Sequence, residues 1–284
     1  MNLPENPINT QIVELLQSCR QRSPDTQTVS SIIEFASDNR QFLDMPGLLS
    51  NALGWTPLIL TIMTLGTENP LYKGLTDLGA DKFAWDAHGN TLLSYTIPGD
   101  PYRQRWPGRE AFNNTLEEVN THHDKQKIID AALACVGYQL NRHNEDHAVR
   151  LIEKGADPNL KLSYEGGTIS ILQLAILKKS LPVTLKLLAA NADCNVILPS
   201  NGDTVLGLVA GACAEIAKEG SYKNDNWDRI IGFTNAANTL IAHGADLYAS
   251  NYDGITPYDK LWRADGLQRL IRKSKNPAGP RLEL

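Results

Sequence analysis

Residues 54–58 read GWTPL, and this short pattern decides how the chain is divided. It returns three times, as GNTLL at residues 89–93, GDTVL at 202–206 and GITPY at 254–258. Thr56 and Thr256 have a hydroxyl group that can cap the amino end of a helix, and each directly precedes a proline. Pro57 and Pro257 then fall at the first helical position, where a missing N–H has no cost. The pattern therefore predicts the start of a helix.

A second signature alternates with the first. Gly-Ala-Asp occupies residues 79–81, 155–157 and 244–246, and Asn-Ala-Asp occupies 191–193. Apolar residues at helical spacing precede each of them, for example Leu71, Leu75 and Leu78 before Gly79. A glycine directly after such a stretch is typical of the left-handed residue that ends a helix. The second signature therefore predicts helix ends.

The stretches between a helix end and the next helix start are short and polar, and we expect them to form protruding hairpin loops. The unit is then helix, connection, helix, hairpin, and it resembles the ankyrin repeat from about Gly47 to the carboxyl-terminal region. The resemblance implies an all-α ankyrin-type helical solenoid with hairpin loops, an N-terminal helical cap and a long insertion. It also implies a partner on the concave surface of hairpin loops and first helices.

The repeats depart from the family pattern in two ways. The histidine that usually follows Thr-Pro-Leu is replaced at each unit, by Ile59, Ser94, Gln173, Gly207 and Asp259. The spacing is also irregular, with 35 residues from Gly54 to Gly89 but 52 from Gly202 to Gly254, against a family period near 33. The third unit begins at Ser170 without the first signature. We expect four to five irregular repeats with insertions.

Three segments follow from this arrangement. Residues 1–46 carry two amphipathic stretches behind Thr10 and Thr28 and are predicted to form the helical cap. Residues 47–272 hold the repeats, and 273–284 form a tail after a short helix at 265–272. The longest insertion covers about residues 97–125, and an inserted loop of that length is either functional or disordered.

Composition and charge exclude several classes of function. The chain has 284 residues with 27 Lys and Arg against 32 Asp and Glu, a net charge of −5, and no basic run that would follow a nucleic-acid backbone. Its apolar runs are too short to cross a bilayer, and its amino terminus lacks a secretory signal pattern. Four cysteines without a CxxC pair fit a reducing cytosol. We expect a monomeric cytoplasmic protein without a cofactor.

Two histidine clusters are the candidates for chemistry. His143 and His147 lie four residues apart with carboxylates between them, as metal ligands on a helix could, but they do not form HExxH. His122 and His123 precede Asp124, as a general base precedes its orienting carboxylate, yet no nucleophile motif accompanies them. The alternative reading of both clusters is a polar segment leading into a helix. An enzyme using either cluster or the insertion remains the second hypothesis.

Recognition features are better supported. The predicted hairpin loops carry Trp85, Tyr164 and Tyr252, and exposed aromatic side chains are common anchors of protein interfaces. Phe83 and Tyr248 lie in the same loops and either face a partner or point back into the stack. The insertion adds a basic and aromatic cluster, made of Tyr102, Arg103, Arg105 and Trp106 and followed by Arg109. That cluster either grips an acidic peptide or anionic group, or pins the insertion onto the repeats.

The sequence thus predicts a non-catalytic module that binds a partner protein through the concave surface, the insertion, or both. Degenerate repeats with bulky insertions also resemble ankyrin proteins that intracellular bacteria deliver into host cells. The last four residues, RLEL, then belong either to an export signal or to a cloning remnant.

Overall fold

The structure is a computed structural model that describes residues 6–18, 26–47, 54–66, 68–97, 108–218 and 224–262. The helices are α1 Pro7–Ser18, α2 Thr26–Asp38, α3 Pro57–Leu65, α4 Pro70–Asp77, α5 Leu92–Tyr95, α6 Gly108–Val119, α7 Lys125–Tyr138, α8 Glu145–Glu153, α9 Ile171–Leu177, α10 Leu181–Ala189, α11 Val205–Lys218, α12 Asn224–Ala242 and α13 Pro257–Trp262, with a 3₁₀ turn at Arg40–Phe42. Two strands, β1 Lys161–Tyr164 and β2 Gly167–Ser170, pair antiparallel. Within these ranges, none of the helices has the length and apolar character of a membrane span.

The predicted helix starts are confirmed. The Thr56 hydroxyl accepts a hydrogen bond from the Ile59 amide at 3.4 Å, with Pro57 in the first helical position. Ser170 and Gln173 form a reciprocal capping box at α9, so the third unit begins where expected despite its missing signature. Each cap satisfies amides that have no partner inside the helix.

The predicted helix ends are confirmed as well. Gly79, Gly155 and Gly244 have φ angles of 98°, 99° and 92°, and Asn191 has φ 60°. A side chain strains this left-handed conformation, which glycine adopts freely and asparagine tolerates. The two signatures therefore mark real helix boundaries.

The N-terminal helices begin earlier than Thr10 and Thr28 suggest. Asn6 caps α1, because its Oδ1 accepts hydrogen bonds from the amides of Ile8 and Asn9, at 3.0 and 3.4 Å. Thr10 therefore lies inside α1, and Thr28 lies inside α2. Asn6-Pro7 is the same cap-plus-proline signal that starts α3, so the sequence contained the correct start.

The described residues form two compact units. The first lies within residues 1–139 and 154–156, and the second within 140–153 and 157–284. In the first unit, α1 packs on α2 and α3, α2 on α4, and α3 on α4 and α5. Its core contains fully buried aliphatic side chains from these helices, among them Ile12, Leu58, Leu71, Leu75 and Leu92.

The second half of the predicted insertion is a helix and not a loop. Helix α6 buries Phe112, Leu116 and Val119 and packs on α5 and α7. These three residues have the spacing of one helical face, a period that the polar residues around them conceal. The loop expectation for this half was wrong because apolar residues at helical spacing outweigh a polar average composition.

In the second unit, helices pack in successive pairs. Helix α10 contacts α8, α9 and α12, and α11 contacts α9, α12 and α13. The β1–β2 hairpin continues directly into α9. The buried face of α11 is nearly continuous from Val205 to Ile216, as expected of a helix with neighbours on more than one side.

Candidate partner-binding surface

The loops that follow the helix-ending signatures are called finger loops here, and they cover residues 81–91, 157–170, 193–204 and 246–256. Side chains at their bases connect successive loops. In the second unit, Asn159 Oδ1 accepts a hydrogen bond from the Asp193 amide at 2.7 Å. In the first, Asp44 Oδ1 accepts one from the Asp81 amide at 2.7 Å. The finger loops of residues 157–170 and 193–204 therefore lie side by side, and that of the first unit is held by Asp44.

In the first unit, the finger loop is held by a buried carboxylate. Asp86 accepts hydrogen bonds from the amides of His88 and Asn90, both at 2.8 Å, and from the Tyr95 hydroxyl at 2.5 Å. Trp55 Nε1 donates to the same hydroxyl at 3.0 Å. Burial, together with the bond to Asp86, raises the pKa of Tyr95 well above its usual value. Trp85, next to this network, is half-buried.

Phe83 points back into the protein and does not face a partner, which decides between the two alternatives for this residue. It is buried and packs edge-on against the His122 ring, with 5.1 Å between ring centroids. His122 Nδ1 accepts a hydrogen bond from the Asp124 amide at 3.1 Å, and Asp124 pairs with Lys127 at 2.9 Å. The hydrogen bond from Lys127 lowers the pKa of Asp124. His122 and Asp124 therefore serve the turn that leads into α7.

In the second unit, a groove of about 520 Å³ lies beside the β1–β2 hairpin. Its lining combines apolar side chains, those of Tyr164, Ile169, Leu177, Leu198 and Pro199, with Glu165, Ser200 and two glycines. Leu177 is 38% exposed at the end of α9. The groove thus joins a finger-loop side chain to the end of a first helix and to the next finger loop.

Tyr164 lies at the centre of two charged contacts. Lys178 Nζ lies 5.9 Å from the centroid of its ring, a distance typical of a cation–π contact. The hydroxyl donates a hydrogen bond to Glu165, and this bond raises the pKa of Tyr164. Glu165 itself lies in the two-residue turn between β1 and β2.

Tyr252 is the most exposed of the predicted loop aromatics, at 66%. Its amide donates a hydrogen bond to the Asn201 carbonyl at 2.9 Å, and its ring covers Gly202. Tyr248 is 47% exposed and stacks on Tyr258 at 5.6 Å. The finger loop of residues 246–256 therefore presents two exposed aromatic side chains.

Comparison with known proteins decides the fold. No protein-family model matches the chain, and no curated protein matches it. Among solved structures, the chain is similar to the ankyrin repeat domain of Bcl-3, described as a unique member of the IκB protein family, with a TM-score of 0.52 and 20% identity over 92% of this chain and 96% of that one. The chain has an ankyrin-repeat fold.

The groove residues of this ankyrin fold include several that sequence reasoning missed. Leu177, Leu198 and Pro199 were not predicted as contacts, although Leu177 ends a first helix with its side chain toward solvent. An apolar residue followed by Lys178 and Lys179 was the available signal. Because Leu177 lies about 20 residues from Leu198 and Pro199, only the stacking of ankyrin repeats brings it to them.

The predicted cluster of the insertion lies outside the described residues. This applies to Tyr102, Arg103, Arg105 and Trp106, and equally to the predicted helix 265–272 and the tail 273–284. Their roles therefore stay predictions. Trp85, Tyr164 and Tyr252 are described, and their function as partner contacts also stays a prediction.

The histidines of the 143–147 segment and two cysteines show no arrangement for catalysis among the described residues. His143 is exposed in the turn before α8, whereas His147 is buried on α8. Burial raises the pKa of the Cys135 thiol to about 11 and that of Cys213 to about 12, so both are protonated at neutral pH. No three His, Cys, Asp or Glu side chains among the described residues are grouped as metal ligands.

Proposed function

We propose that this protein is a non-catalytic interaction module that binds a partner protein through its finger loops and first helices. The observation that carries the proposal is the groove of about 520 Å³ between finger loops, lined in part by Tyr164, Leu177 and Pro199, with Tyr252 exposed on the following finger loop. The ankyrin-repeat fold supports it, since stacked repeats form extended surfaces that typically serve for binding.

The test is affinity capture from a lysate with three forms of the protein. We expect the wild type to retain a partner that the double variant Tyr164→Ala with Tyr252→Ala loses, because both rings lie on the finger loops. Trp227→Ala is the matched control, since Trp227 is 52% exposed on α12, the second helix of its repeat. All forms should give equal helical circular dichroism. Equal retention by the double variant and the wild type would contradict the proposal.

The insertion is a second contact region in this proposal. Tyr102, Arg103, Arg105 and Trp106 would add positive charge and aromatic rings to an acidic protein. Deleting residues 97–125 is not a clean test, because it removes the buried side chains of α6. Arg105→Ala with Trp106→Ala leaves α6 unchanged and should weaken capture. Unchanged capture would limit recognition to the finger loops.

We further propose that the protein is a monomer acting in a cytosol, in keeping with its free cysteines. Delivery into a host cell as a bacterial effector is proposed on the resemblance of its degenerate, inserted repeats. Sedimentation velocity tests the monomer, and a dimer at micromolar concentration would contradict it. A translocation reporter fused to the chain tests the delivery, and absence of signal in host cytosol would refute it.

A further inference from the structure

We infer that the groove beside the β1–β2 hairpin binds an extended segment of the partner in which an apolar side chain lies next to Lys or Arg. The inference rests on the proposed function and specifies the chemistry of what enters this site. Three observations support it: the groove beside two finger loops that share no backbone hydrogen bond near their tips, the charge of these loops, and the unusual residue in the hairpin turn.

The two finger loops that border the groove are joined by a hydrogen bond at their bases and share no backbone hydrogen bond nearer their tips. Asn159 and Asp193 connect the bases by a hydrogen bond of 2.7 Å. Elsewhere, neighbouring loops are also joined nearer the tip by a backbone bond, from Tyr252 to Asn201 at 2.9 Å and from Ala87 to Gly54 at 3.0 Å. Residues 161–170 and 198–200, all described, share no such backbone bond, because Pro199 has no N–H to donate, and both segments line the groove.

An extended peptide can bind in the groove beside the hairpin. Main-chain groups of a bound strand can pair with the outer edge of the hairpin, as in strand addition to a sheet edge. The apolar walls then receive one side chain of the peptide, with Tyr164, Leu177 and Pro199 around it.

The charge of the finger loops favours a basic segment. The three finger loops of the second unit contain six acidic residues and a single basic one, Lys161. The acidic residues are Asp157, Glu165, Asp193, Asp203, Asp246 and Asp253. Lys260 neutralises Asp203, with 2.6 Å between Nζ and Oδ2. Glu165 lines the groove itself and places its carboxylate beside Tyr164.

The turn residue is a poor choice for folding. Glu165 and Gly166 have φ angles of 47° and 79°, as in the tight hairpin turn for which Asn-Gly is preferred. Glutamate therefore occupies a left-handed position that asparagine would fill with less strain. A residue that breaks a local rule at the rim of a groove suggests a role in binding.

Lys178 is the competing cation. Its ammonium group lies over the Tyr164 ring, where a cation of the partner would also be attracted. We expect Lys178 to move aside when a basic peptide binds. Its removal should therefore strengthen the binding of such a peptide, whereas an acidic peptide would lose its partner charge.

The experiment selects random dodecapeptides displayed on phage against the immobilised full chain, then measures selected peptides by fluorescence anisotropy. We expect enrichment of Lys or Arg next to an aromatic or aliphatic residue. Glu165→Asn should weaken binding roughly two- to fivefold, the range of an exposed ion pair. It preserves the turn, so misfolding cannot explain the loss. Leu177→Ser should weaken binding by about tenfold or more.

Two lysine variants complete the design. Lys178→Ala should strengthen binding. Lys161→Ala is the matched control, because Lys161 is exposed on the opposite face of the hairpin from Leu162 and Tyr164, and it should leave binding nearly unchanged. Added salt should weaken binding of the wild type more than that of Glu165→Asn.

Several results would overturn the inference. Enrichment of Asp or Glu, with binding lost in Lys178→Ala, would assign the groove to an acidic segment. Equal affinities of Glu165→Asn and the wild type would show that Glu165 does not pair with a basic residue of the peptide. If no peptide is enriched while a lysate partner still depends on Tyr164 and Tyr252, the inference fails and the proposed function stands. If capture of the lysate partner does not depend on Tyr164 and Tyr252 either, both the inference and the proposed function fail.

Discussion

A buried carboxylate, Asp203, connects two finger loops and the last helix of the second unit. It accepts hydrogen bonds from Asn251 at 3.0 Å and Asn201 at 2.8 Å, and it pairs with Lys260 at 2.6 Å. Its side chain is 5% exposed. Because a single residue satisfies three donors from different elements, its loss leaves all three without a partner.

Asp203→Ala should therefore lower the free energy of unfolding by about 3–5 kcal/mol, the cost of breaking a buried ion pair. Urea denaturation followed by circular dichroism measures the change. Asp77→Ala is the matched control: Asp77 pairs with Lys73 on an exposed helix face, and such a pair contributes only a few tenths of a kcal/mol. Equal losses in the two variants would contradict the role of Asp203.

Cys213 makes stability dependent on alkaline pH. Burial raises the pKa of its thiol from 9.0 to about 12. The unfolded chain therefore releases this proton at lower pH than the folded chain, and the stability present below pH 9 is lost as pH rises toward 12. One such group changes the free energy of unfolding by up to about 1.4 kcal/mol per pH unit in that window.

The measurement compares urea unfolding of the wild type and Cys213→Ala at several pH values. We expect the stability of the wild type to fall more steeply above pH 9 than that of the variant. The raised pKa of Cys135 and Tyr95 contributes equally to both proteins and cancels in the comparison. Parallel curves would show that the thiol of Cys213 ionises in the folded state as readily as in the unfolded one.

At the scale of elements, helix α6 makes part of the insertion integral to the fold. Phe112 is fully buried in it, and α6 packs on α5 and α7. Phe112→Ala should cost about 3–5 kcal/mol through lost burial and the cavity left behind. Asn120→Ala, at an exposed position just after the helix, should change stability little. Thermal melts of both variants decide the point, and equal melting temperatures would contradict the packing of α6.

The finger loop of residues 193–204 depends on Gly202 for two reasons. Its φ is 76°, and a Cβ atom there would lie 2.5 Å from the Tyr252 ring. Gly202→Ala should therefore cost about 1–2 kcal/mol for the backbone alone and displace the ring. Tyr252→Ala in the same chain should restore the part due to the ring contact and leave the backbone part. Additive losses in the double variant, measured in urea, would show that the ring does not press on this position.

At the scale of the whole molecule, repeat packing predicts local responses to local damage. In a solenoid each unit is stabilised by its neighbours in the sequence. Leu75 and Leu187 are fully buried in α4 and α10, respectively. Leu75→Ala should speed hydrogen exchange in α2 to α4 and leave α9 to α12 unchanged, and Leu187→Ala should do the reverse. A uniform increase in either variant would contradict this behaviour and indicate a single cooperative unit.

The sequence by itself determined the helix boundaries and the repeat order of this protein. Helix caps and left-handed helix ends involve residues within about four positions of each other, as at Thr56, Ser170 and Gly79. Both residues of such a contact are therefore visible in a short stretch of sequence. The same local logic failed at α6, where Phe112, Leu116 and Val119 are scattered among polar residues and their burial depends on α5 and α7.

Only the tertiary structure decided which side chains meet. Phe83 packs on His122, and Tyr164 shares a groove with Leu177 and Pro199, although none of these pairs is close in sequence. The physical reason is that contacts between repeats depend on loop lengths and on hydrogen bonds between neighbouring loops. A repeat signature predicts that two loops are neighbours. Which hydrogen bonds join them near their tips is decided by packing.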